Sequence, residues 1–402
     1  MERNPGFEKK EPLWTRDFIL ISIASLFITM GFQMLLPVLP VFSAELGGSD
    51  SWAGLVVGIF TISAVLMRPI AGRLLDKQGR RGVFILGLIV FLICVVAYNW
   101  TSTISVLLML RFIHGFGWGA SSTASSTIAS DVVPKSRLGE GMGYFGLTST
   151  LAMAIAPALG LEILGGYGFN AVFYISAGVV LISIFIALLI KYHKPDVVPK
   201  SDSDGFPKSG KAGIFERSAI LPAVVIFFIT MTYGAIVSFI ALYAGQKQVE
   251  NIGLFFTVYA AALLISRPYF GRLTDRKGTP FAVLPGILCV IVSMSLIYFA
   301  NSLMAFLIAG FIYGIGFGAV QPALQAMSVR KVDNTRRGAA NATFFLGFDL
   351  GIGAGAILWG IIAEHLGYQL IYLLAIIPAV VGALIYIRSI IGGKKRENTS
   401  RE

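Results

Sequence analysis

The sequence predicts an all-helical membrane protein of twelve transmembrane spans, arranged as two six-helix bundles. Three observations carry that prediction. The first is composition: of 402 residues, 56% are apolar and only 13% charged, with a mean hydropathy of +0.78. Soluble domains carry about 25% charged residues, so a soluble enzyme is excluded. The second is that the apolar residues gather in twelve runs, each close to the ~20 residues needed to cross a bilayer core. The third is a segment that recurs at an offset of 199 residues.

The runs fall at 17–42, 52–71, 82–100, 104–128, 139–163, 170–190, 218–243, 252–271, 281–300, 303–328, 338–363 and 367–390. They are continuous rather than alternating, which favours helices over lipid-exposed strands. The first run is full-length, follows a charged stretch and shows no small-residue cleavage site. It is expected to be an uncleaved span rather than a signal peptide. Cys94 and Cys289 fall inside spans 3 and 9 and read as small buried apolar residues, not a disulfide.

The formal net charge of +11 would point to nucleic acid in a soluble chain. Sorted by position, 28 of the 32 Lys and Arg residues lie before span 1, in the last turn of span 12 or after it, or in the connections from even to odd spans. Lys247 alone lies in the opposite connections, and Arg68, Arg111 and Arg267 lie within spans. The positive-inside rule therefore places both termini and the longest loop in the cytoplasm. The charge is topology, and no nucleic-acid partner is expected.

The repeat organises the chain. Arg68–Arg81 reads RPIAGRLLDKQGRR and Arg267–Pro280 reads RPYFGRLTDRKGTP, with seven of 14 positions identical. The same offset aligns Gly115, Gly117 and Gly119 of span 4 with Gly314, Gly316 and Gly318 of span 10. The predicted organisation is a six-helix bundle over 1–191, a Pro-, Lys-, Ser- and Asp-rich cytoplasmic linker over 192–217, and a second bundle over 218–402. Six is even, so both bundles enter the membrane from the same side, as parallel repeats.

At the end of span 2 stand Gly72, Arg73, Asp76, Lys77, Gly79, Arg80 and Arg81, echoed after span 8 by Gly271, Asp275, Arg276 and Gly278. This pattern, with twelve spans and a 6+6 repeat, resembles the major facilitator superfamily of secondary transporters, and it covers nearly the whole chain. Span 4 reads Arg111-Phe-Ile-His114-Gly115-Phe-Gly117-Trp118-Gly119, similar to the arginine motif of proton-coupled members, with His114 where glutamine is usual. Span 5 carries Gly143, Ala152, Ala156-Pro157 and Gly160, similar to the glycine series of drug:proton antiporters, with alanine at two expected glycines.

The resemblance implies a cytoplasmic gate. Gly72 and Gly79 would permit a tight turn and close helix approach. Asp76 would face the start of span 11 near Gly338, with Asp275 as its echo, and Arg80 would pair with Asp131 at the end of span 4. Breaking these contacts would favour opening to the cytoplasm.

Two charges stand well inside spans without a charged repeat equivalent. Arg111 is matched by Gly310. It shares a helical face with His114, Trp118, Ser122 and Ser125, a face able to line a cavity. Asp349 is the single acid near the middle of a span, and its counterparts in span 5 are Thr148 or Thr150, depending on alignment. Gly347, Gly351 and Gly355 flank it at four-residue spacing, so span 11 is expected to pack tightly or bend there. Intramembrane charges are functional candidates by default. A carboxyl that takes a proton on one side and releases it on the other is what antiport requires. Asp349 is the expected proton carrier or site of a substrate cation, Arg111 is expected to tune its titration, and His114 is counted with them for proton coupling. Glu162 and Glu364 sit at the outer ends of spans 5 and 11 and read as interfacial.

In this family the first helix of each three-helix unit lines the cavity. The candidates are Phe32, Gln33, Phe228, Tyr233, Tyr313, Gln321 and Gln325, joined by Trp118, Phe345 and Phe348. They predict a large amphipathic pocket. An anion site would require several cations at depth, and Arg111 is the one clearly available.

Signatures of nucleotide binding and of metalloproteases are absent from the sequence, so neither catalytic residues, a metal nor a cofactor is expected. The predicted function is proton-coupled efflux of small amphipathic or cationic compounds by a monomer in the inner or plasma membrane, with protons, lipid and a small molecule as its partners. The alternatives are a dedicated exporter of a metabolite, metallophore or sugar, or, from another class, a membrane receptor or scaffold.

Overall fold

The computed structural model describes residues 12–134, 137–192, 216–330, 332 and 337–399. Among the described residues every regular element is a helix: α1 Arg16–Glu45, α2 Asp50–Gln78, α3 Arg80–Ala97, α4 Ile104–Val132, α5 Leu138–Leu189, α6 Arg217–Gln246, α7 Leu254–Lys277, α8 Pro280–Phe299, α9 Leu303–Val329, α10 Arg337–Leu366, α11 Tyr368–Leu374 and α12 Ile376–Thr399, with a single 3-10 turn at Tyr98–Trp100. Eleven helical segments are long and apolar enough to cross a membrane.

The count is eleven rather than twelve because α5 runs 52 residues with its backbone broken at Gly168, at φ 78° and ψ 179°. Predicted spans 5 and 6 are the two arms of α5, and spans 7 to 11 are α6 to α10. Of the expected linker, residues 193–215 lie outside the described residues.

Several helices outrun their apolar cores. α2 continues to Gln78 and stops at Gly79, whose φ of 89° favours a glycine; α7 stops at Gly278 at φ 95°. Gly72 therefore lies within α2, and neither it nor Gly271 has any atom within 4 Å of the space a side chain would fill. The turn comes from Gly79 alone, and the close approach expected of Gly72 does not occur.

Contacts inside each half recur at the offset of 199. Thr103 caps α4 through the Val106 amide, and Ser302 caps α9 through the Ala305 amide. A Cβ on Gly117 would lie 3.0 Å from the Gly87 carbonyl oxygen, and one on Gly316 would lie 2.6 Å from that of Gly286. Small residues here let α3 approach α4 and α8 approach α9 at backbone distance. Two buried clusters result. One gathers residues of α1–α5. The other gathers α6–α12 together with Leu36, Ala53 and Val57 from the first half.

The halves meet along α2 and α10, at the end of the bundle opposite the termini. A Cβ on Gly54 would collide with the Ala356 carbonyl, one on Gly353 would lie 2.8 Å from Thr61 Cβ, and one on Gly360 would lie 2.8 Å from the Asp50 carbonyl oxygen. Polar contacts finish this seam. Ser49 donates to Glu364 at 3.1 Å, and the Tyr368 hydroxyl donates to Asp50. Between α5 and α7 the equivalent approach is looser, with Gly253 against the Ala158 carbonyl oxygen at 3.2 Å.

Candidate functional site

The seam ends on an ion pair. Arg68 of α2 donates through Nη2 to Asp349 Oδ2 of α10 at 2.7 Å. Helix periodicity divides α10 into two working faces. Gly347, Gly351 and Gly355 lie against Ala223, Phe227 and Met231 of α6, whereas Gly353 and Gly360 lie against α2. Asp349 stands one turn before Gly353, which carries its carboxylate across to the other half. The Arg68 and Asp349 side chains keep 30% and 22% of their exposure.

A second arginine crosses the interface at the equivalent place. Arg267 of α7 is the repeat partner of Arg68. Its Nη1 donates to the Thr150 hydroxyl of α5, and its Nη2 to Gln321 Oε1 of α9 at 2.8 Å. Thr150, rather than Thr148, is therefore the counterpart of Asp349, at the offset of 199. The two crossings differ in their partners: an acid answers Arg68, and two neutral groups answer Arg267.

Arg111 is nowhere near Asp349. It is wholly buried in the first half, where Nε donates to the Val56 carbonyl at 2.9 Å and the guanidinium lies 4.1 Å from the Phe60 ring centroid. Val56 and Arg68 are separated by twelve residues of α2, about 18 Å of helical rise. The cation against Asp349 is thus Arg68, and Arg111 does not touch the carboxylate whose titration it was expected to tune. His114 is equally buried. Its Nδ1 shares a hydrogen bond with the Tyr98 hydroxyl at 2.8 Å, and its ring packs edge-on to Phe91 at 4.0 Å. Of the predicted α4 face, Arg111 and His114 turn into the bundle, and Trp118 stacks on Phe32 at 4.5 Å.

The remaining candidates divide between the halves. Phe32 lies between Trp118 and Phe60, and Gln33 beside it is buried with no partner for Oε1. In the second half Tyr233, Tyr259, Tyr313 and Phe317 form one ring cluster, reaching Phe348 at 6.1 Å from Phe317, with Phe345 6.2 Å beyond. Phe228 is partly exposed beside Phe227. Gln321 serves Arg267, and Gln325 reaches Asn341 at 3.5 Å.

Of the gate residues, Arg80 Nε donates to Asp131 Oδ2 at 2.9 Å and its Nη1 to the Leu75 carbonyl at 2.8 Å. This pair joins α3, α4 and α2 inside the first half and does not span the interface. Arg73 is exposed. The side chains of Asp76 and Asp275 lie outside what is described, as do the surroundings of Gly338, and with them the expected contact of Asp76 with the start of α10.

Sequence reasoning did not place Arg68, Arg267, Thr150, Tyr259 or Phe60 in the site, although it named both arginines as charges within spans and Thr150 as a possible counterpart of Asp349. A signal existed for the arginines, since both are charges inside spans at the same repeat position.

The family model described as Major Facilitator Superfamily matches residues 21–250 and 223–402. The chain belongs to the major facilitator superfamily. Among its curated superfamily relatives, the "uncharacterized MFS-type transporter MJ1560" of Methanocaldococcus jannaschii is 24% identical over 383 residues, covering 93% of this chain and 98% of that protein. The "multidrug resistance protein MdtG" of Escherichia coli is 23% identical over 374 residues, covering 90% and 91%. Among solved structures, a bacterial homolog of the human lysosomal transporter Spinster, in an inward-facing and occupied conformation, superposes with a TM-score of 0.75 at 14% identity, covering 94% of this chain and 97% of that one. That likeness shows the major facilitator fold. The chain is a multi-pass membrane transporter of the superfamily, similar to its drug:proton antiporters.

Proposed function

We propose that this transporter works by alternating access and couples the efflux of small amphipathic compounds to proton entry across the cell membrane. The observation that carries the reading is the Arg68–Asp349 pair at the end of the inter-half seam. In this reading α5 crosses the membrane twice, folding back at Gly168, because 52 continuous helical residues would span about 78 Å, well over the ~30 Å hydrocarbon core. That makes twelve spans in two parallel six-helix repeats, with both termini cytoplasmic by the charge bias.

The glycine-mediated approaches between the halves all lie on the outer side of the ion pair, which supports an arrangement sealed toward the outside. Deprotonated Asp349 ties α10 to α2 and holds that seal, so an empty carrier does not return outward without cargo. Cargo opens the seal from the inside; Asp349, parted from Arg68, then takes a proton from outside, and the return of Arg68 as the seal closes expels that proton to the cytoplasm. Coupling then follows from the difference in binding between the two arrangements.

Proteoliposomes test this, with a pH-sensitive dye inside and a panel of fluorescent amphiphiles as cargo. The wild type is expected to move protons opposite to cargo. Asp349→Asn is expected to keep downhill exchange and lose accumulation against a gradient. If Asp349→Asn accumulates cargo at the wild-type level, the proton-carrier role of Asp349 is wrong.

A further inference from the structure

The two equivalent arginines face unequal partners, and the inequality concerns charge. Arg68 meets Asp349. Arg267 meets only the Thr150 hydroxyl and the Gln321 amide oxygen, and no carboxylate among the described residues pairs with it. Within the spans, Arg68, Arg111 and Arg267 are set against one deep acid. A cation drawn out of water is costly unless an opposite charge accompanies it.

The surroundings of Arg267 are also rich in donors and poor in acceptors. Its Nε is buried without an acceptor, and the buried hydroxyls of Tyr259 and Tyr233 have no partner either. Tyr259 lies two turns before Arg267 on α7, within electrostatic reach of its guanidinium, and Tyr233 stacks on Phe317 at 5.4 Å. Buried donors left without acceptors cost free energy until something supplies an acceptor. A carboxylate, sulfonate or phosphate monoester supplies several, in a geometry that suits a guanidinium fork.

We propose that Arg267, with Tyr259 and Tyr233, is the anion-binding centre of the transport site, and that the cargo is an organic anion: one negative group on an apolar, aromatic-compatible body that packs toward Phe317 and Phe348. This rests on the transport reading above for the existence of a central cargo site. It reverses the sign expected from the sequence. A cationic cargo at Asp349 would have to evict Arg68, a full charge. An anion at Arg267 displaces only the neutral Thr150 and Gln321. In doing so it undoes the second tie between the halves, the one that protonation does not touch. A membrane potential negative inside drives such an anion outward.

The test uses the full-length protein in lipid nanodiscs and three probes on one skeleton: 7-methoxycoumarin-4-acetate, its primary amide, and its trimethylammonium analogue, with affinities read by equilibrium dialysis. The carboxylate is expected to bind at least about tenfold more tightly than the amide, and the cation most weakly. Arg267→Gln is expected to erase the preference, and Arg267→Lys to retain most of it. Thr150→Asp is the decisive variant. It leaves the arginine in place, gives it the acid that Arg68 already has, and is expected to abolish carboxylate binding without lowering the unfolding temperature. Equal, absent or cation-favouring binding by the wild type overturns the proposal, and so does a carboxylate preference that survives Arg267→Gln. The proton-coupling reading fails separately, if cargo movement is indifferent to a pH gradient while the carboxylate preference stands.

Discussion

Arg68 and Asp349, 281 residues apart in sequence, meet at 2.7 Å across the two halves of the transporter. Their repeat equivalents, Arg267 and Thr150, meet in the same way without the acid. One crossing is therefore sensitive to protonation and the other is not. The two crossings are thus chemically unequal: aspartate stands against threonine at the pairing position, and Ser122 against the Gln321 that also holds Arg267.

A charge exchange isolates that pair. Arg68→Asp alone sets two acids against each other, and Asp349→Arg alone two cations; each is expected to lower gradient-driven transport by about tenfold or more, the scale of a tie worth over 1.4 kcal/mol. The double variant restores attraction and is expected to recover part of the loss. Transport rates of the four proteins in a double-mutant cycle measure the coupling. A double variant no better than the worse single one would show that the pair does not act as a unit.

The glycine seam makes a prediction about access. Gly54 has no room for a side chain against the Ala356 carbonyl. Gly54→Leu is expected to wedge α2 from α10 and hold the outer end apart. A cysteine placed at Thr61, which is 8% exposed, would then react severalfold faster with an impermeant maleimide added outside. Unchanged labelling would mean that the seam does not close the outer end.

Arg111 is expected to act on stability rather than on coupling. Its guanidinium both donates to the Val56 carbonyl and lies over Phe60. A lysine ammonium is compact and reproduces that combination poorly. Arg111→Lys is therefore expected to cost about 1–2 kcal/mol, seen as a lower unfolding temperature, while the pH profile of transport keeps its midpoint. A shifted midpoint at unchanged stability would return Arg111 to the coupling machinery.

Much of this molecule is legible in one dimension because its determinants are local. The apolar runs locate the crossing segments to within a few residues, apart from ends such as α2, which persists to Gln78 because a helix stops at a suitable backbone conformation and not where hydrophobicity fades. The offset of 199 residues foretells that Gly115 and Gly314, or Gly79 and Gly278, do the same work twice. The tight packing expected around Asp349 follows from the four-residue spacing of Gly347, Gly351 and Gly355, which periodicity alone places on one face. Asp349 itself is conspicuous as a lone acid deep in a span.

What Asp349 touches was not legible. Arg111 and Asp349 are the two unmatched intramembrane charges, and pairing them is natural in a list; in space they stand at different depths, and Arg111 is enclosed by Phe60, Tyr98 and Val56 within its own bundle. Arg68 looked like part of a repeated motif, and only the approach of α2 to α10 makes it the partner of Asp349. The same approach of α5 to α7 selects Thr150 over Thr148 and leaves Arg267 without an acid. Sequence by itself determined the helices, the duplication and the presence of rare buried charges, because each depends on hydrophobicity and periodicity within a short window. Tertiary structure alone decided which charges neutralise one another and that Arg111 and Arg267 are left without an acid, because that depends on how the helices are brought together, at depths and rotations that no single helix encodes.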